Sequence, residues 1–155
     1  MIEQFSIAGS TKETKYQSLL KALASLLKDE PDLIANMANV SAAIKEVFGF
    51  LWVGFYLVRG EELVLGPFQG SIACSRIKKG KGVCGASWKN EKSIIVPDVS
   101  QFLGHIACSS LSESEIVIPI FKNNNITGVL DIDSEHLNHF DETDEKYLSQ
   151  IVEML

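Results

Sequence analysis

The sequence has no apolar run long enough to cross a bilayer. The longest, Phe48 to Val58, covers 11 residues between Glu46 and Arg59, about half of what a spanning helix needs. Met1 to Tyr16 lacks the apolar stretch of a signal peptide, so a cytoplasmic protein with no membrane partner is expected. Basic residues are the minority. Fourteen Lys and Arg against 20 Asp and Glu give a net charge of −6, and residues 131–155 carry eight carboxylates opposed only by Lys146. Nucleic acid, which selects basic surfaces, is not an expected partner. Cysteine is scarce and odd in number: Cys74, Cys84 and Cys108 show no C-x-x-C pairing. That spacing argues against a metal site even with His105 nearby, and a reducing compartment argues against structural disulfides.

What is present suits one domain over residues 1–155. Hydrophobic residues make up 46% of the chain and charged ones 22%, near the globular average. A chain of this length buries roughly 70% of its unfolded surface without help from disulfides or metals. Residues 1–9 show no periodicity and read as a loose arm. Ser10 and Glu13 have capping-box spacing ahead of Tyr16, Leu19, Leu20, Leu23, Leu26 and Leu27, which predicts a helix to about Lys28. Pro31 suits the first position of a second helix ending near Gly49. From residue 50 the period falls to two, and strands are predicted over 51–58, 63–65, 93–96, 115–121 and 127–133. A short helix over 83–90 and a closing helix opened by Asp141 and Asp144 complete the pattern. Helices and strands do not alternate. The expected fold class is therefore α+β, an antiparallel sheet with the N- and C-terminal helices packed on one face.

Strand parity groups the candidate site residues. Alternate side chains of a strand point to opposite faces, so Leu51, Val53, Phe55 and Leu57 leave Trp52 and Tyr56 together on the other side. Ile116, Ile118 and Ile120 likewise oppose Glu115, and Leu130 and Ile132 oppose Asp131 and Asp133. If these three faces line one cavity, it holds three carboxylates and two aromatic rings, and suits a small cation. The alternative is that the carboxylates face water and the aromatics cover the helices.

The cysteines differ in setting. Cys84 follows Lys79-Gly80-Lys81-Gly82 at a predicted helix start, where backbone N–H groups and the helix dipole favour a thiolate or a substrate carboxylate. Arg76, Lys78, Lys79 and Lys81 add positive potential there, although a solvated turn explains them equally well. Cys108 ends the aperiodic stretch Gly104-His105-Ile106-Ala107, and loops of that kind often carry reactive groups. An unperturbed thiol is only about 3% ionised at neutral pH, so its surroundings must activate it.

The segments GPFQG (66–70), ACSRI (73–77), GKGVCG (80–85), GHIAC (104–108), SEIVIPI (114–120) and GVLDIDS (128–134) together resemble the free methionine-(R)-sulfoxide reductases built on a GAF domain. The likeness runs from about Tyr16 to the closing helix. It implies Cys108 as the attacking nucleophile, Cys74 and Cys84 as recycling thiols, Glu115, Asp131 and Asp133 as the acidic residues that hold the substrate and assist the chemistry, and Trp52 and Tyr56 as the aromatic wall. Two positions depart from the family pattern: Ser109 stands where Asp commonly follows the nucleophile, and Leu103 where Pro or Asp often precedes GHIAC. They bear on the loop's conformation and on the thiolate's electrostatics.

The chemistry this implies follows from the residue types. A sulfoxide needs its oxygen protonated or hydrogen-bonded before a thiolate attacks sulfur, and Asp131 and Asp133, two apart on one strand face, can raise each other's pKa and supply that proton. Cys108 would become a sulfenic acid, a second cysteine would close a disulfide, and thioredoxin would reopen it. No bound cofactor is required. Loop entropy does not choose the resolving thiol, because separations of 34 and 24 residues differ by only about 0.3 kcal/mol; the helix start favours Cys84 over Cys74. The GAF resemblance leaves room for a helix-mediated homodimer. Two other readings compete: a GAF sensor that binds a small molecule without turnover, and a redox-sensing interaction protein. With nothing after the closing helix, the sensor reading would need a separate output protein.

Overall fold

The computed structural model describes residues 7–106 and 108–155. Four helices and six strands follow in the order α1 (Lys12–Leu27), α2 (Leu33–Phe48), β1 (Trp52–Arg59), β2 (Glu62–Gln69), β3 (Arg76–Lys78), α3 (Gly82–Asn90), β4 (Ile94–Val96), β5 (Ser114–Lys122), β6 (Asn125–Ser134) and α4 (Glu142–Val152). All strand pairs are antiparallel, in the spatial order β3-β2-β1-β6-β5-β4. The architecture is α+β, as the absence of βα alternation predicts.

Apolar parity decides which face each helix covers. Tyr16, Leu19 and Leu23 of α1, Met37, Val40 and Ile44 of α2, and Tyr147, Leu148 and Ile151 of α4 pack on Val53, Phe55, Ile116, Ile118, Leu130 and Ile132. The opposite face carries Trp52, Tyr56, Val117 and Val129, and among the described residues the short α3 lies over it through Val83, Cys84 and Trp88, joined by Val99 and Phe102 of the segment after β4. One face is thus sealed by three helices, while the other is only partly roofed.

Several local expectations need correction. The cap of α1 is Thr11, which exchanges hydrogen bonds with Thr14, instead of Ser10 with Glu13. Asp32, not Pro31, opens α2 by accepting from the Ala35 N–H, and Leu33 and Ile34 stay exposed. Residues 1–6 of the expected arm lie outside the described residues; Ile7 packs against the core and the Ala8 N–H bonds Ser18 Oγ. Strand β3 has a single inward residue, Ile77, too little for periodicity to reveal. Asp141 and Asp144 do form a reciprocal capping box at α4.

Candidate active site

Register turns parity into a site. Asp133 of β6 lies opposite both Trp52 of β1 and Glu115 of β5, and Asp131 lies opposite Gly54 and Val117. Trp52, Tyr56, Glu115, Asp131 and Asp133 therefore share one face and line one pocket with Cys84, His105, Cys108 and Ser112; it encloses about 550 Å³ counting its open mouth.

The aromatic wall depends on two glycines. Trp52 stacks on Phe68 at 5.2 Å and on Tyr56 at 6.0 Å between centroids, and its Nε1 donates to the Ser71 carbonyl at 3.0 Å. A Cβ on Gly54 or on Gly70 would overlap the indole. Tyr56 Oη donates to the Cys74 carbonyl at 2.9 Å, which ties the segment after β2 to the pocket.

Glu115 is 5% and Asp131 7% exposed, and Asp133 is half-buried, so the solvated-face alternative is overturned. Burial pushes Glu115 up to about 8, with the neighbouring Asp133 charge adding to it. Burial, then Glu115 and Asp133, raise Asp131 well above the usual carboxylate range. Asp133 is also raised by burial, against a 2.6 Å hydrogen bond from Ser112 Oγ and the proximity of His105. Like charges that close in a desolvated site cannot all ionise, so the cluster retains a proton near neutral pH. Asp131 Oδ1 is buried without a hydrogen-bond partner.

The thiols fall out differently from the expectation. Cys74 and Cys108 are joined as a disulfide with 5.7 Å between their Cα atoms. Cys84 is the free cysteine and is buried. The preference for Cys84 as Cys108's partner is thus corrected. Cys84 sits inside α3 beneath the pocket, whereas Cys74 and Cys108 lie in facing coil segments able to approach each other. The helix start does not favour its thiolate either, since burial, then Asp131 and Glu115, push the thiol well up. Nor do the basic residues face the site. All four are exposed, with Arg76 paired to Glu62 at 3.0 Å and Lys79 over the Trp88 ring.

Two pocket residues escaped the parity argument because they lie in the loop before β5. His105 Nε2 is 3.4 Å from Glu115 Oε2, and Ser112 bonds Asp133. Of the two departures in that loop, Ser109 lines the pocket and accepts from the Leu111 N–H, while Leu103 is fully exposed. Among the described residues no helix is long and apolar enough to cross a membrane.

This antiparallel sheet, with helices on one face and a pocket under α3 on the other, has the architecture of a GAF domain, and the GAF-domain family model matches residues 31–154. The GAF domain-containing protein A of Dictyostelium discoideum is 61% identical, over 100% of this chain and 99% of its own length. The free methionine-R-sulfoxide reductase of Escherichia coli is 45% identical over 90% of this chain and 86% of its own. The solved structure of free methionine-R-sulfoxide reductase from Neisseria meningitidis, in complex with its substrate, superposes with a TM-score of 0.97 at 48% identity, covering 99% of this chain and 93% of that one. The chain belongs to the free methionine-R-sulfoxide reductases, oxidoreductases built on the GAF fold.

Proposed function

We propose that the chain reduces free L-methionine-(R)-sulfoxide with Cys108 as nucleophile and Cys74 as the resolving thiol. The observation that carries this reading is the juxtaposition of three carboxylates, two of them buried, an aromatic wall and the Cys74–Cys108 disulfide around one pocket. The α-ammonium sits against Glu115, and the thioether end lies along Trp52 and Tyr56. The protonated member of the Asp131–Asp133 pair donates to the sulfoxide oxygen. Cys108 attacks sulfur, the S=O oxygen passes to Cys108 as a sulfenic acid, and methionine leaves. The Cys74 thiol displaces that oxygen as water and forms the disulfide, which is the oxidised form described above. A dithiol protein of the thioredoxin type then exchanges its thiols for the disulfide and restores both cysteines.

Such a cycle needs a reducing compartment, consistent with the cytoplasm. No step calls on a bound cofactor, and a homodimer is compatible with the cycle. Residues 1–155 act as a single GAF unit in this scheme.

One equivalent of substrate added to reduced protein, followed by disulfide mapping with mass spectrometry, tests the assignment. Cys74–Cys108 is expected as the first disulfide; a Cys84–Cys108 product would overturn Cys74 as resolving thiol. Cys108→Ser should form no methionine even in one turnover, because a serine hydroxyl does not ionise near neutrality, whereas Cys74→Ser should complete one turnover and stall at recycling.

A further inference from the structure

Cys84 is left without a part in that cycle, and its surroundings are unlike those of an ordinary core cysteine. Its Sγ, one oxygen of Glu115 and one of Asp131 all lie within 4.8 Å of one another, each on a buried residue. Asp131 is 7% exposed, lines the pocket and has an Oδ1 with no hydrogen-bond partner. A buried acceptor left open points to an occupant that supplies positive charge or a donor. His105 Nε2, 3.4 Å from Glu115 Oε2, lies beside this cluster without belonging to it. We propose that Cys84, Glu115 and Asp131 form a three-ligand site for a thiophilic divalent cation of the zinc class, and that the cation blocks the pocket.

The donor set selects the metal. Thiolate and carboxylate oxygen are both ligands of tetrahedral zinc, and bond lengths of 2.0–2.3 Å set donor separations of about 3.5 Å. The three donors, within 4.8 Å of one another, have to close towards that spacing when the cation binds. Hard cations such as Mg2+ and Ca2+ call for six or more oxygens, and the thiol counts against them. The three residues sit on α3, β5 and β6, so no sequence spacing signals the site. Because Cys74 and Cys108 pair with each other, Cys84 stays available in both redox states.

The cation site stands on this geometry alone; its competition with substrate rests on the function proposed above, since Glu115 and Asp131 serve both. Cobalt(II) alone, added to the full-length oxidised chain, reports thiolate ligation by a near-ultraviolet sulfur-to-metal charge-transfer band. Cys84 is the one free thiol of that form, so the band needs no variant to assign it. One equivalent of Co2+ should produce it and one equivalent of Zn2+ should abolish it, following the affinity order. Cys84→Ser should remove the band and weaken zinc binding by more than the 10–100-fold that loss of an outer-shell partner costs, while Asp131→Asn should weaken it with the band retained. No band with the parent chain, or a band that survives Cys84→Ser, overturns the cation site. Free methionine-(R)-sulfoxide, which the oxidised chain cannot turn over, should bleach the cobalt band. If the sulfoxide binds and the band persists, the shared pocket is wrong although the cation site holds. If reduced chain turns over the sulfoxide but the oxidised chain shows no band, the cation site alone fails.

Discussion

The protein buries carboxylates in two places and treats them in opposite ways. Asp144, fully buried between α1 and α4, accepts from Lys12 Nζ at 2.6 Å, from Tyr16 Oη at 2.8 Å and from the Asp141 N–H at 2.9 Å. Lys12 also reaches Asp141 at 2.9 Å. Burial alone would lower the Lys12 ammonium, yet its bonds to Asp144 and Asp141 hold it above its ordinary value. On the other face of the sheet Glu115, Asp131 and Asp133 crowd together, with the His105 imidazole 3.4 Å from Glu115. Asp144 has its counter-charge and its hydrogen bonds, whereas Asp131 keeps a buried Oδ1 without a hydrogen-bond partner, the arrangement expected where a ligand supplies the missing partner.

Exchanging each Asp for Asn separates the two places most sharply. Asp131→Asn keeps the shape and removes the acid, so single-turnover reduction should fall by about 10²–10⁴ while the thermal midpoint holds or rises. Asp144→Asn should instead lower unfolding stability by about 2–3 kcal/mol, the cost of breaking a buried ion pair one partner of which is partly solvated, with normal turnover per folded molecule. Stopped-flow reduction and denaturant melts on both variants check this; equal activity losses would erase the distinction.

A smaller effect comes from the substrate side. If the pocket waits for an ammonium, N-acetylation or a peptide bond leaves Glu115 unpaired, and kcat/KM should drop by about 10² or more, at 1.4 kcal/mol for each tenfold. Comparable kinetics on the free and N-acetylated sulfoxides would show that the carboxylates do not read the amino group.

The two places also carry opposite pH dependence. Glu115 is raised to about 8 in the fold, so the native chain holds a proton that the unfolded chain releases near 4.5. Its contribution is present below that value and is lost as pH rises towards 8. Asp141 runs the other way. Although its slight burial alone would raise it, hydrogen bonds from Lys12 and from backbone N–H groups hold it below the usual range, so its contribution is present above 3.8 and is lost as pH falls through the depressed value. Urea midpoints between pH 3 and 9 should show a decline on the alkaline side that flattens in Glu115→Gln, and one on the acid side that flattens in Asp141→Asn. Single-turnover rates should decline above about pH 8 as the cluster loses its proton.

The mildest expected change is in Tyr56→Phe, which removes only the hydrogen bond to the Cys74 carbonyl. At about 1 kcal/mol for such a bond, closure of the Cys74–Cys108 disulfide should slow by about fivefold with methionine release unaffected. An unchanged closure rate would mean that the tyrosine does not position the resolving thiol.

The amino-acid order alone determined which side chains share a face. Alternation along a strand is a property of the local backbone, so Trp52, Tyr56, Glu115, Asp131 and Asp133 could be grouped without knowing what lay beside them, and the apolar parity of residues 53–57, 116–120 and 130–132 announced the helix-covered core. The capping pair at Asp141 and Asp144 was legible for the same reason. Whether those carboxylates met water or each other was not local. It was decided by the register that sets Asp133 between Trp52 and Glu115, and by α3 closing over that face. The pairing of Cys74 with Cys108, the burial of Cys84 and the arrival of His105 and Ser112 at the carboxylates depend on loops brought together across the sheet. Desolvation and charge proximity arise only once distant segments meet, and no spacing in the chain encodes them.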